Sequence, residues 1–369
     1  MFWYIMICAL MLYPLSIVYV GRISEKKTQC VALLMACIIL WFFMAMRHVS
    51  VGVDTKYYMH VFSQFQDIPL YKVFTAETFA TDSETWSLDF EYGYRLYNKI
   101  ISIFCRWPQI ITICNSTLII VLLYYSVKKQ SPNYLLSIWL YITLGIFQTE
   151  MNVTRNAIAI LIVYNASCFL EKKQLPQYIF SCVLAMMFHK AAVILIPVYW
   201  LVHNIRWNQK RLAILIACAV AFGVLFPVIR PILSAVLPQG ITRYFYSKSS
   251  KLEAAVVGVF YLLLFLVAYI LAGKEKRNRV FSQFAVGSVM LALNLSCFGL
   301  SFGLGYAARL AALFGPYLIY YIPQVLSLIE NPSNRRMSAA LIVMISGVQY
   351  VMRLCINNIG GTMPYMFFW

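Results

Sequence analysis

Apolar runs long enough to cross a bilayer recur along nearly the whole chain, and no other feature restricts its fold as much. A helix needs about 20 apolar residues to span ~30 Å of hydrocarbon. Such runs predict spans near residues 2–21, 30–46, 108–127, 133–149, 153–170, 177–189, 191–202, 212–229, 254–272, 280–299, 307–325 and 338–354. They are continuous rather than alternating, which excludes a membrane barrel. Only 12% of the residues are charged and 62% are hydrophobic, whereas soluble domains carry ~25% charge. The expectation is an all-α polytopic membrane protein of about twelve spans. The sixth and seventh runs are short, as a hairpin broken around His189 or tilted helices in a thin region would be. The first run lacks a basic stretch before it and is followed by a basic loop, so it reads as a retained helix rather than a signal peptide. No repeat, low-complexity tract or linker divides residues 1–369, and a single domain is expected.

The net charge of +17 would suggest nucleic acid in a soluble chain. Here topology explains much of it, and no nucleic-acid partner is expected. The loops "RISEKKTQ", "KKQ", "EKKQ", "HNIRWNQKR", "GKEKRNR" and "NPSNRRM" hold 16 of the 30 Lys and Arg residues. All are short and flank spans, so the positive-inside rule assigns them to the cytoplasm. The other basic residues, and nine of the 13 acids, then lie outward. The ten cysteines fall mostly inside apolar runs, with no CxxC and no metal-ligand spacing. They read as small core residues.

Outward charge concentrates in residues 47–107, the first outer loop, and in 230–253, a second loop that is basic and aromatic. The first loop opens with "MRHVSVGVDTKYY" and closes with "FEYGYRLYNKIISIF". In the latter, Leu96, Ile100, Ile103 and Phe104 share one side at helical spacing. That predicts an amphipathic helix on the outer membrane surface. Arg47, Arg155 and Arg309 stand at the ends or starts of apolar runs. One arginine there can simply snorkel, but several converging at one depth need an anion or carboxylates between them. A diphosphate suits their planar fork. Asp54 either caps the helix that starts there or works in a site. His189, with Lys190 beside it, sits between two apolar segments, where it either bonds a carbonyl or takes part in chemistry. The chain has no P-loop, GxSxG or HExxH motif, which argues against a nucleotide-driven pump.

These motifs together resemble a known family. Arg47, Ser50, Val51, Gly52, Asp54, Thr55, Tyr58 and Phe62 follow the pattern of the first outer loop of EpsG/Wzy-like polysaccharide polymerases. "FEYGYRLYNKII", with Glu91 and Gly93, is similar to the element that closes that loop. "TRNAIA", "FHKAAVILIP" and "YAARLAALFGPYL" resemble the later arginine, histidine and arginine elements, in the family's order over most of the chain. "RNAIA" lacks the glutamine often found after that arginine, and the second outer loop is shorter than in many O-antigen polymerases.

The resemblance implies a multi-pass glycosyltransferase C-like enzyme of the bacterial inner membrane, with its active site facing the periplasm. Its donor and acceptor would be undecaprenyl-diphosphate-linked oligosaccharides, and a chain-length regulator protein is a partner it admits. No metal, nucleotide or other cofactor is expected. His189 is the first candidate for the general base, with Asp54 and Glu150 behind it. Arg47, Arg155, Arg309, Lys190 and Arg243 are the candidates for the diphosphate. Tyr57, Tyr58 and Glu91 are candidates for the glycan, with Trp86 and Tyr244 as further stacking aromatics. The alternative is a flippase for the same lipid-linked oligosaccharide, which would need charges along the membrane midplane. An O-antigen ligase and a membrane acyltransferase fit the first-loop motif less well.

Overall fold

Inside lipid a backbone must satisfy its amides within its own segment, so apolar runs of this length become helices. The computed structural model describes residues 26–75, 78–80, 85–87, 90–237, 239–246 and 251–369. The expected first span, 2–21, lies outside the described residues. In chain order the helices are α1 (Lys26–Ala45), α2 (Thr55–Asp67), α3 (Tyr92–Phe104), α4 (Gln109–Gln130), α5 (Tyr134–Thr143), α6 (Ile146–Asn152), α7 (Thr154–Asn165), α8 (Ser167–Glu171), α9 (Leu175–Met186), α10 (Val198–Asn204), α11 (Gln209–Val236), α12 (Gln239–Thr242), α13 (Lys251–Leu271), α14 (Lys274–Gln283), α15 (Ala285–Leu300), α16 (Tyr306–Ala311), α17 (Leu318–Ser327) and α18 (Pro332–Asn357). A short antiparallel pair, β1 (Thr78–Ala80) and β2 (Thr85–Ser87), lies between α2 and α3 in sequence.

Six helical segments among the described residues are long and apolar enough to cross a membrane: Lys26–Ala45, Gln109–Gln130, Gln209–Val236, Ala254–Leu271, Tyr306–Ser327 and Pro332–Leu354. Four shorter apolar ones, Tyr134–Thr143, Leu175–Met186, Lys190–Asn204 and Ala285–Leu300, accompany them. The chain is thus a helical polytopic membrane protein. Among the described residues the apolar segments are of unequal length, six long and four short. The run 133–149 is divided at Gly145, with φ +72°, and the run 153–170 at Ala166, between α7 and α8. The hairpin expected around His189 is present as α9, a turn, and a 3-10 segment, Lys190–Leu195.

The described residues form two compact units. The first comprises residues up to 130, 137–196 and 348–369. In it α1 packs on α4, α4 on α7, and α7 on α9, while α2 packs on both α3 and α4. α3 is turned with its polar side inward: Tyr94, Asn98, Lys99 and Ser102 are buried. Lys99 Nζ donates to the carbonyls of Phe65 (3.0 Å) and Gln66 (3.3 Å), placing a cation at the negative end of α2. Ile100, Ile103 and Phe104 point outward, 46%, 64% and 84% exposed.

The second unit comprises 131–136 and 197–347. α15 is its centre, contacting α10, α11, α13, α14, α16 and α17. α11 and α15 meet backbone to backbone. A Cβ on Gly223 would lie 2.4 Å from the Gly299 carbonyl, and one on Gly303 would lie 2.0 Å from the Gly223 carbonyl. Small residues at such a crossing let membrane helices pack without a hydrophobic driving force. α11 leaves Ile214, Val224, Leu225, Val228, Ile232 and Val236 exposed, the surface of a lipid-facing helix. It continues to Val236, so the expected second loop begins nearly two turns later than residue 230.

Candidate active site

In the first unit the two ends of the segment 47–107 come together with the arginine of α7 and the turn after α9. Glu91 precedes α3 with extended backbone (φ −67°, ψ 150°), and its carboxylate does not cap its own helix. Instead Glu91 Oε2 accepts from Arg155 Nη1 at 2.6 Å. Glu91 Oε1 accepts from the Lys190 backbone N–H at 2.9 Å and from His189 Nδ1 at 3.2 Å. A carboxylate only accepts, so this contact fixes the proton on Nδ1 and leaves the lone pair of a neutral ring on Nε2.

Packing makes that contact reachable. The Tyr94 N–H donates to the Met187 carbonyl at 3.0 Å. A Cβ on Gly93 would stand 2.5 Å from Met187 Cβ and 2.8 Å from Met187 O. Only a residue without a side chain lets the first turn of α3 lie on the turn that carries His189. Beneath the site is an aromatic floor in which the Tyr58 and Phe90 rings stack at 5.8 Å and Tyr94 meets Phe90 edge-on at 5.1 Å. The Arg155 guanidinium lies over Phe90, 4.3 Å from the ring centre, a cation–π arrangement. It also hydrogen-bonds the Tyr58 hydroxyl. Tyr57 flanks the floor, edge-on to Phe90 at 5.3 Å.

Asp54 completes this corner. Its N–H donates to Asn152 Oδ1 at 2.8 Å. Its carboxylate is half-buried, makes no cap to α2, and lies in the field of Arg155. Burial raises its pKa above the ordinary value, and Arg155 opposes that rise. Glu91 goes the other way. Its burial favours protonation, but the hydrogen bond from His189, the Arg155 charge and the Lys190 N–H outweigh it and hold the pKa at about 2.

The remaining candidates stand elsewhere. Arg47 is 1% exposed. Its Nη2 donates to the Met151 carbonyl at 2.9 Å, its Nε to Thr55 Oγ1 at 3.4 Å, and its Nη1 to the Met44 carbonyl. Its donors are thus directed at the protein's own backbone and a threonine, at the junction of α1, α2 and α6. Glu150 is 4% exposed and accepts from the Tyr141 hydroxyl at 2.5 Å. Lys190 lends the site its backbone, and its side chain is exposed. Arg309 is exposed on α16, in the second unit, where the Tyr306 and Tyr244 rings stand 4.6 Å apart. The side chains of Arg243 and Trp86 lie outside the described residues.

A model of the EpsG family matches residues 30–367, nearly the whole chain. The chain belongs to the EpsG family. Its membership points to a polysaccharide polymerase of glycosyltransferase type in a membrane. No curated protein matches the chain. No solved structure matches it either. Sequence reading put Glu91 among the glycan ligands, and the structure puts it between Arg155 and His189. Asn152 and Phe90 escaped that reading altogether. For Phe90 its place directly before Glu91 was a usable signal; for Asn152 nothing in the sequence ties it to Asp54, 98 residues away.

Proposed function

We propose that this EpsG-family chain polymerises undecaprenyl-diphosphate-linked oligosaccharide units on the periplasmic side of a bacterial inner membrane. The growing glycan moves from its lipid diphosphate to the non-reducing sugar of a new lipid-linked unit. The observation that carries this reading is the single carboxylate, Glu91, shared by Arg155 and His189. It places a cation and an oriented imidazole on one group, as a displacement with an anionic leaving group requires.

In the reaction an acceptor hydroxyl oxygen attacks the anomeric carbon of the donor. The bond from that carbon to the diphosphate oxygen breaks, and the lipid diphosphate departs with the electron pair. His189 Nε2 takes the hydroxyl proton as general base. Glu91 holds the ring and stabilises the imidazolium that forms. Arg155 and the Lys190 ammonium supply positive charge where the diphosphate develops its own. Asp54 binds an acceptor hydroxyl. Tyr57 and Tyr58 offer ring faces to sugars. Arg47 holds the loop in place. The outward apolar face of α3 rests in the outer leaflet, setting Glu91, just before its first residue, at headgroup level. The reaction runs without metal or nucleotide.

The test is extension of lipid-diphosphate-linked repeat units by purified protein in liposomes, read as a ladder on a gel. A ladder lost in His189→Ala and Arg155→Ala, with both variants folded, supports the reading. Movement of intact substrate between leaflets without a ladder makes the chain a flippase.

A further inference from the structure

Asp54 and Glu91 share an unusual trait: each stands at the cap position of a helix, and neither caps it. For Glu91 the alternative partners are visible. For Asp54 they are not, since among the described residues its carboxylate takes no hydrogen bond. An aspartate before a helix ordinarily turns its carboxylate onto the N–H of the second or third helical residue. Here the backbone prevents it. Asp54 has helical dihedrals (φ −90°, ψ −8°) rather than the extended ones a cap needs.

What imposes those dihedrals comes from far along the sequence. Gly52 N–H donates to the Gly361 carbonyl at 3.1 Å and Val53 N–H to the Gly360 carbonyl at 3.4 Å. Asp54 N–H is taken by Asn152. Consecutive amides of the loop are therefore all tied down, two of them by a pair of adjacent glycines. Both glycines have positive φ, +67° and +63°, which favours residues without a Cβ. A Cβ on Gly361 would stand 2.9 Å from Val53 Cγ2, and one on Gly360 would stand 3.0 Å from the Gln148 carbonyl. The same segment fastens the loop's start, where His48 N–H donates to Met366 O and Phe368 N–H to Met46 O.

We propose that Gly360, Gly361 and Asn152 are positioning residues for Asp54, a frame that denies it the helix cap and keeps its carboxylate available to an acceptor sugar hydroxyl. The sugar as ligand rests on the polymerase reading above; the frame does not.

The experiment uses the full chain in detergent and a hydrophobic carbodiimide, which modifies protonated carboxyls in apolar surroundings, with Asp54 modification followed by mass spectrometry. Wild type labels at Asp54. Asn152→Ala and, independently, Gly361→Ala slow that labelling at least fivefold, because the released carboxylate turns to cap α2. Unchanged labelling in Asn152→Ala, the milder variant, overturns the proposal. Extension rates supply the second readout. Asn152→Ala lowers the rate several-fold alone and adds nothing to Asp54→Asn, as expected of residues acting through one group. Additive losses overturn the proposal while leaving the polymerase intact. Slowed labelling in the two variants, when the wild type makes no ladder, upholds the frame and removes the substrate.

Discussion

Arg47 and Arg155 belong to the same unit, and sequence gave them the same task, yet they are surrounded differently. Arg47 ends on two carbonyls and a threonine hydroxyl, shut off from solvent. Arg155 ends on a carboxylate that a histidine shares, and its side chain keeps 16% of its surface. A buried guanidinium bonded to main chain stabilises the loop that follows it, whereas one paired with a shared carboxylate can respond to a ligand's charge. Position at a span's end does not distinguish the two; the partners do.

The harshest test of that contrast is Arg47→Ala. It strands three buried or half-buried acceptors, each costing ~1–3 kcal/mol, so a loss on the order of 3–9 kcal/mol is expected against a total stability of ~5–15 kcal/mol. The variant should be recovered poorly, with a much lower unfolding temperature. A well-folded Arg47→Ala that has lost extension would make Arg47 a ligand and erase the distinction. His189→Ala should behave oppositely: extension falls ~10²–10⁴-fold, the range of a lost general base, while stability loses only the part of Glu91's contribution that His189 supplies, less than in Arg47→Ala.

Glu91 gives the contrast a pH signature. Its folded pKa of about 2 lies below the ~4.3 of an unfolded glutamate. A depressed pKa contributes stability that is fully present above the unfolded value and is lost as pH falls through the folded one. Wild type should therefore lose on the order of 3 kcal/mol between about pH 4.5 and pH 2. Glu91→Gln should lack that component, so the two unfolding curves converge toward pH 2. Parallel curves would mean that the carboxylate is not held by Arg155 and His189. Smaller again is Gly93→Ala. Its Cβ must push Met187 away, which costs ~1–3 kcal/mol as overpacking does. Extension should fall with it, because the movement separates Glu91 from His189.

The helical class, the broken segment at His189 and the outward apolar face of α3 were all legible in the sequence, because each is a local pattern of apolar and polar residues. The motif resemblance also named Arg155, His189, Asp54 and Glu91. What local pattern does not contain is pairing across 64 to 104 residues. Nothing in "MRHVS" says that Arg47 will meet Met151 rather than solvent, and nothing in "EYGY" says that Glu91 will reach Arg155. The lengths of the helices were less legible for a related reason. The runs 133–149 and 153–170 are each apolar, but Gly145 and Ala166 divide their helices, and hydropathy does not register such a break.

The smallest effect separates a side chain from its own backbone. Lys190 was expected to meet the diphosphate through its ammonium, but its tie to Glu91 is its N–H. Lys190→Ala keeps that bond, so stability should change little, and extension should fall a few-fold through weaker substrate binding, most visibly at low salt. Lys190→Pro removes the N–H at the first residue of the 3-10 segment, a position where proline is otherwise tolerated. A hydrogen bond to a charged group contributes ~1.5–3 kcal/mol, so the proline variant should lose more than alanine in both stability and rate. If alanine and proline behave alike, the Lys190 N–H does not matter to Glu91. The carboxylate would then be held by Arg155 and His189 alone.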